Sequence, residues 1–184
     1  VHHILTGVNV NATSLIDGVY FRGGLAFGSG NDRNGSAIYL LRTDIGAEKG
    51  PTIRNCTVFE NSSPKGDGGA IYLFNSTASI QDCVFFENVS KGDGGAVCGK
   101  GNASDVQISG SLFYTNISLE EEGGALAAFG KSVKVDNSLF LTNKARQGGG
   151  IYTGKKNQLK AENIVVYQNR LYTDSEEGSG LKMN

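Results

Sequence analysis

Carboxylates recur at two fixed places in this 184-residue sequence, and each place raises a different chemistry. Glu60 and Glu87 stand immediately before Asn61 and Asn88, and Asp67, Asp93 and Glu122 stand immediately before the pairs Gly68-Gly69, Gly94-Gly95 and Gly123-Gly124. If successive repeats stack, Glu60 and Glu87 lie roughly 5 Å apart, near the carboxyl separation of a retaining glycosidase. Acid–base hydrolysis also needs unequal environments and a cleft. The column continues as Thr115, Thr142 and Gln168, so it reads as a solvated turn. The second column continues as Gln147, flanked by Asn34 and Glu177, and is a calcium candidate because carboxylates and turn carbonyls are calcium ligands. Like charges in adjacent coils otherwise repel. Lys65 and Lys91, two residues ahead of Asp67 and Asp93, are expected to neutralise them. The spacings D-x-D-G and G-G-x-G-x-D are absent, and Glu120-Glu121-Glu122 reads as a solvated run.

Other chemistries find no residues. The only histidines are the adjacent His2 and His3, which leaves no Ser/His/Asp or Cys/His arrangement within the repeats. The three cysteines form no Cys-x-x-Cys spacing. Cys56 and Cys83 hold equivalent repeat positions, close enough when stacked to pair. Ser111 and Ser138 follow in the same column, so the reading is a column of small interior side chains, with Cys98 apart. No catalytic residue and no cofactor is assigned. A net charge of −1 gives no reason to expect nucleic acid. No apolar run approaches the ~20 residues of a membrane span, and no signal segment opens the chain. The sequence starts at Val1 and stops just after the phrase at Gly178, which reads as an excerpt of a longer protein.

The elements that must position these residues are set by two repeated phrases. The first is Gly68-Gly69-Ala70-Ile71, returning as Gly94-Gly95-Ala96-Val97, Gly123-Gly124-Ala125-Leu126 and Gly148-Gly149-Gly150-Ile151, with worn copies at Gly35 and Gly178. The second ends in asparagine at Asn61, Asn88, Asn116, Asn143 and Asn169, at intervals of 27, 28, 27 and 26. A shared period in the 20–50 residue range means stacked units, each burying its apolar face against its neighbours. From Pro51 onward each unit reads as three short strands. The first carries Ile53, Ile80, Ile108, Val135 and Ala161, and a kink follows at Asn55, Asp82, Gly110, Asn137 and Asn163, types that tolerate a tight or left-handed turn. The second strand carries Val58, Phe85, Phe113, Phe140 and Val166. The third follows the glycine pair. Strands this short with no helical periodicity give an all-β parallel β-helix of about six coils of roughly 27 residues, residues 1–50 forming irregular first coils of one domain, 1–184. The asparagines are expected to form an interior ladder, each amide bonded to the next.

With both phrases laid out, G-G-A-I and F-x-x-N, the chain resembles the right-handed parallel β-helix repeats of bacterial surface proteins. It is most similar to the repeats of the chlamydial polymorphic outer membrane proteins. Phe85 to Asn88, Phe113 to Asn116 and Phe140 to Asn143 match the second motif, and Val58 and Val166 replace the phenylalanine in the outer copies. The opening from Leu15 to Gly24 looks like the first coil of repeats in secreted Bacteroidetes proteins. The resemblance implies a secreted, cell-surface or outer-membrane setting and a non-catalytic role as adhesin, passenger stalk or binding module. A carbohydrate-active enzyme with its catalytic residues outside this segment is the alternative, and a purely structural spacer is a third.

Alternation along the second strand then supplies a binding expectation. If Val58, Phe85, Phe113, Phe140 and Val166 point inward, their neighbours point outward. These are Thr57, Val84, Leu112, Leu139 and Val165, with Phe59, Phe86, Tyr114, Leu141 and Tyr167; nine of the ten are apolar or aromatic. Contiguous apolar surface marks an interaction site. The expected occupant is another protein, another domain of the same chain, or a glycan. Eight Asn-x-Ser/Thr sequons occur, but Asn61, Asn88 and Asn116 among them belong to the ladder column, so chance accounts for their number.

Overall fold

The computed structural model describes residues 3–43, 50–155, 157–172 and 180–183. Gly178, Glu177, Val1 and His2, named above, lie outside them. The chain winds as a right-handed parallel β-solenoid of about five turns, close to the six expected. Its one helical element among the described residues is a single 3₁₀ turn, Gly30–Arg33.

Among the described residues four sheets run along the axis, and every strand pairs in parallel with its equivalent one coil away. The first sheet holds Leu15–Asp17, Thr52–Arg54, Thr77–Gln81, Asp105–Ser109, Ser132–Asp136 and Gln158–Glu162. The second holds Tyr20–Arg22, Thr57–Phe59, Val84–Phe86, Leu112–Tyr114, Leu139–Leu141 and Val165–Tyr167. The fourth holds the strands after the glycine pairs, among them Ile71–Phe74, Val97–Lys100 and Leu126–Ala128, with Leu5–Val8 and Ile38–Leu41 at its start. Between the second and fourth runs a sheet of two-residue strands, such as Val89–Ser90 and Ile117–Ser118, a further strand in each coil where the sequence reads as three. Two residues carry too little alternation to be seen in the sequence. They are held by the bonds of the coils above and below, as where Val89 N–H donates to Asn61 O at 2.9 Å.

The core is a set of columns along the axis. Phe85, Phe113 and Phe140 are fully buried and stack with centroids 4.7 and 4.8 Å apart, nearly coplanar at 1°. Each contributes roughly 1.5–3 kcal/mol by burial. Ile53, Ile80, Ile108 and Val135 line the opposite wall from the first sheet, and Ile71, Val97, Leu126 and Ile151 complete it from the fourth. Cys56, Cys83, Ser111 and Ser138 form the small interior column, with all three cysteines free. It is also a hydrogen-bonded column. Cys83 N–H donates to Ser111 Oγ and Ser111 N–H to Ser138 Oγ, both at 3.1 Å, and burial pushes the Cys83 thiol up to about 12.

Left-handed backbone recurs at the corners of the coil, and two of these corners contrast. The first is the expected kink: Asn55, Asp82, Gly110, Asn137 and Asn163 have φ of 52°, 51°, 58°, 47° and 51°. The second has no signal in residue type. Glu60, Glu87, Thr115, Thr142 and Gln168 have φ of 51°, 54°, 54°, 56° and 52°, in a region that costs roughly 1–2 kcal/mol per residue for side chains of these kinds. What holds them is tertiary: the N–H of Thr115 donates to Leu141 O and that of Thr142 to Tyr167 O, one coil on.

Candidate functional site

Three sets of side chains stand at positions where function can be built: the asparagine column, the acidic column and the outward face of the second sheet.

The asparagines are interior. Asn61, Asn88, Asn116 and Asn143 are at most 1% exposed, and Asn169 ends the column at 7%. Each Nδ2 donates to the Oδ1 of the next coil, from Asn61 to Asn88 at 3.0 Å, Asn88 to Asn116 at 2.9 Å, Asn116 to Asn143 at 3.0 Å and Asn143 to Asn169 at 2.9 Å. The backbone N–H of each donates to the same Oδ1, at 3.2, 3.2, 2.9 and 2.9 Å. The second hydrogen of each inner amide reaches back to a carbonyl of the preceding coil, Asn88 to Val58 O and Asn116 to Phe85 O. Each carboxamide therefore uses two donors and both lone pairs, leaving nothing for a ligand. The column is structural.

The acidic column forms a ladder of opposite direction. Asp67 N–H donates to Asn34 Oδ1 at 2.8 Å, Asp93 N–H to Asp67 Oδ1 at 2.9 Å, and Glu122 N–H to Asp93 Oδ1 at 3.1 Å. The neutralising cation is Lys100, which corrects the expectation for Lys65 and Lys91. Lys100 Nζ lies 2.8 Å from Asp67 Oδ2 and 2.7 Å from Asp93 Oδ2. Lys91 instead faces Glu120 at 3.6 Å, and the Lys65 ammonium sits over the Phe27 ring at 3.8 Å. The reason is direction. Lys65 and Lys91 leave exposed loop backbone, whereas Lys100 ends a strand of the fourth sheet and holds its ammonium over Phe129, 5.3 Å from the centroid. An ammonium thus holds the place a cation would take between Asp67 and Asp93. Among the described residues, no group of three or more His, Cys, Asp or Glu side chains is arranged for a metal. Burial pushes Glu122 up to about 7, with Asp93 adding to the shift.

Beneath Lys100 lies a part of the core that sequence reasoning missed. Tyr39, Tyr72, Cys98 and Ala127 point away from the axis on the fourth sheet, yet none is more than 5% exposed. The loops before the glycine pairs cover them: a Cβ on Gly94 would lie 2.9 Å from Cys98 Cβ and one on Gly123 2.8 Å from Ala127 Cβ. Burial pushes the Tyr72 phenol and the Cys98 thiol up. The signal was available, since both the odd and the even positions of these strands are apolar, the mark of a strand buried on both faces.

Glu60 and Glu87 occupy the left-handed corner. Glu60 is taken by Arg22, whose Nε lies 2.8 Å from Glu60 Oε2.

The second sheet turns Thr57, Val84, Leu112, Leu139 and Val165 outward in one column and Arg22, Phe59, Phe86, Tyr114, Leu141 and Tyr167 in the next. Phe59, Phe86 and Tyr114 stack with centroids 4.8 and 4.9 Å apart, so each ring shields the next and shows solvent an edge. Towards the last coil the cover thins, with Leu139 40%, Val165 48% and Tyr167 59% exposed. The outward face of the first sheet is the internal control, for it presents Ser79, Gln81, Gln107, Ser109, Lys134 and Asp136 at the equivalent alternation.

Against known proteins, residues 36–184 match the family described as "Right handed beta helix region". The chain belongs to that right-handed β-helix family. It is also similar to the probable autotransporter YfaL of Escherichia coli strain K12, 32% identical over 126 residues, covering 62% of this chain. The match spans only 10% of that relative's length. No solved structure matches. For this β-helix chain the distant autotransporter likeness suits a surface or extracellular passenger region. Among the described residues, no helix is long and apolar enough to cross a membrane.

Proposed function

We propose that this β-helix is a non-catalytic segment of a secreted or surface-exposed bacterial protein, a rigid passenger stalk that binds a protein partner along the outward face of its second sheet. The observation that carries the reading is the contrast between two faces of one solenoid: the first sheet turns polar side chains to water, while the second turns out Val84, Phe86, Leu112, Tyr114, Leu139, Leu141, Val165 and Tyr167 with Phe59. Apolar surface of that extent is kept where a partner covers it. The likeness to an autotransporter supports the surface setting.

The test is a double change, Phe86→Ser with Tyr114→Ser. Both side chains stand on the outer face and neither touches the buried phenylalanine stack, so circular dichroism and the unfolding temperature should stay within a few degrees of the parent. Binding of the labelled chain to a panel of cell surfaces should fall by about tenfold. Unfolding of the variant, or undiminished binding by a folded one, would remove the strip from the account.

A further inference from the structure

Three carboxylates on three successive coils stand over one ammonium. Lys100 Nζ lies 2.8 Å from Asp67 Oδ2 and 2.7 Å from Asp93 Oδ2, so its close contacts go to the first two. Glu122, the third, has no ion pair among the described residues, and its backbone N–H, donating to Asp93 Oδ1 at 3.1 Å, holds the two acids together. Its own loop adds Glu120 and Glu121, of which Glu120 faces Lys91 at 3.6 Å. The following coil brings Gln147, bridged to Glu122, and Arg146, whose backbone N–H donates to Glu121 O at 2.9 Å. The buried Cys98 thiol lies beneath. A carboxyl held against another acid, with the nearest cation already shared, keeps its proton and can donate a hydrogen bond. Burial and the Asp93 carboxylate accordingly push Glu122 up to about 7.

The same residue sits where two loops are fastened together. Leu119 N–H donates to Ser90 O and Glu120 N–H to Lys91 O, both at 3.0 Å, and Gly94 N–H returns to Glu122 O at 2.9 Å. These loops roof the outer core over Cys98 and Ala127. We propose that Glu122 is a pH-sensitive latch: protonated, it fastens its loop to the loop of Asp93, and ionised, it is repelled by Asp93 and Glu121 and lets the roof over Cys98 lift. The latch is separate from the apolar strip and does not depend on the strip binding anything. Its sign follows from linkage, because the folded chain holds this proton more tightly than the unfolded chain does. Stability from the latch is fully present below the ordinary glutamate value of 4.5 and is lost as pH rises through about 7.

Chemical denaturation of the 184-residue chain on either side of that window reads the latch. From about pH 5 to about pH 8 the unfolding equilibrium constant should rise about tenfold. Glu122→Gln, which keeps a neutral donor throughout, should hold the rise below about twofold. Asp93→Asn, which removes the neighbouring charge and frees Lys100 for Glu122, should reduce it as well. Alkylation at the higher pH, with each cysteine followed by peptide mass, locates the opening. Intrinsic thiol reactivity is common to the two chains at one pH, so Cys98 should be labelled about tenfold faster in the parent than in Glu122→Gln. Cys56 and Cys83, inside the solenoid, should stay protected in both. A parent as flat with pH as Glu122→Gln, a variant as steep as the parent, equal labelling of Cys98 in the two chains, or labelling of Cys56 and Cys83 in step with Cys98 would each overturn the proposal.

Discussion

Replacing Asn116 by leucine should destabilise the solenoid by about 2–6 kcal/mol, although it adds apolar volume to a buried site. Asn116 Oδ1 is the acceptor for two donors of the preceding coil, Asn88 N–H at 3.2 Å and Asn88 Nδ2 at 2.9 Å. Its own Nδ2 serves Phe85 O and Asn143 Oδ1, both at 3.0 Å. Leucine strips the partners from two fully buried donors, and each costs roughly 1–3 kcal/mol when no water reaches it. The two carbonyls suffer less, since Asn143 Oδ1 keeps the backbone N–H of residue 116. For a chain of this size the unfolding temperature should drop by on the order of 10 °C. Asn102→Leu, at an exposed turn, should change it little. Equal unfolding temperatures for the two variants would mean that the carboxamides are dispensable.

Gly95→Ala should be the more damaging of two glycine changes that look alike in the sequence. A Cβ at Gly95 would lie 2.1 Å from Gly124 O and 2.5 Å from Ile117 N, and both are backbone atoms that cannot swing aside. The coils would have to separate, breaking the bonds by which Ile117 N–H reaches Asn88 O at 2.9 Å and Gly95 N–H reaches Gly123 O at 3.0 Å. A cost of about 3 kcal/mol or more follows, the upper end of what overpacking inflicts. Gly30 supplies the comparison. It has φ of 59° with nothing within 4 Å of a built Cβ, so Gly30→Ala meets only backbone strain, on the order of 1 kcal/mol. Chemical denaturation of both variants separates the effects. If Gly95→Ala lost no more stability than Gly30→Ala, the second glycine of each pair would not be a packing requirement.

These two residues show which parts of the fold the sequence could disclose. Stacking in register confronts each residue with its own equivalent, so a position that tolerates only one chemistry repeats that chemistry. Asparagine serves the ladder because a carboxamide donates and accepts in one plane, and glycine serves at Gly95 because nothing larger fits. Both columns therefore appear as letters at a fixed period. Lys100 does not, because its partners Asp67 and Asp93 stand in a different column and one ammonium serves two carboxylates. A reading by columns looks for a lysine beside each acid and finds Lys65 and Lys91, whose loop positions point them elsewhere. The left-handed corner at Glu60, Glu87, Thr115, Thr142 and Gln168 was hidden for the opposite reason: the conformation is imposed by bonds to the next coil, so residue type is left free. The outer core around Tyr72 and Cys98 left a mark, since its strands are apolar at odd and even positions alike, but which loops fold back over the fourth sheet left none.

The outward face of the second sheet was legible because alternation of inward Phe85, Phe113 and Phe140 fixes where Phe86 and Tyr114 must point.

Equivalent residues of successive phrases meet inside the molecule, coil upon coil, through their side-chain amides. Exchange of the side-chain amide hydrogens, followed by nuclear magnetic resonance on the 184-residue chain, tests it directly. The Nδ2 hydrogens of Asn88, Asn116 and Asn143 should exchange at least about 100-fold more slowly than those of exposed Asn102, because opening them requires parting the coils. Exchange of all four at one rate would place the asparagines on the surface and dismantle the stack.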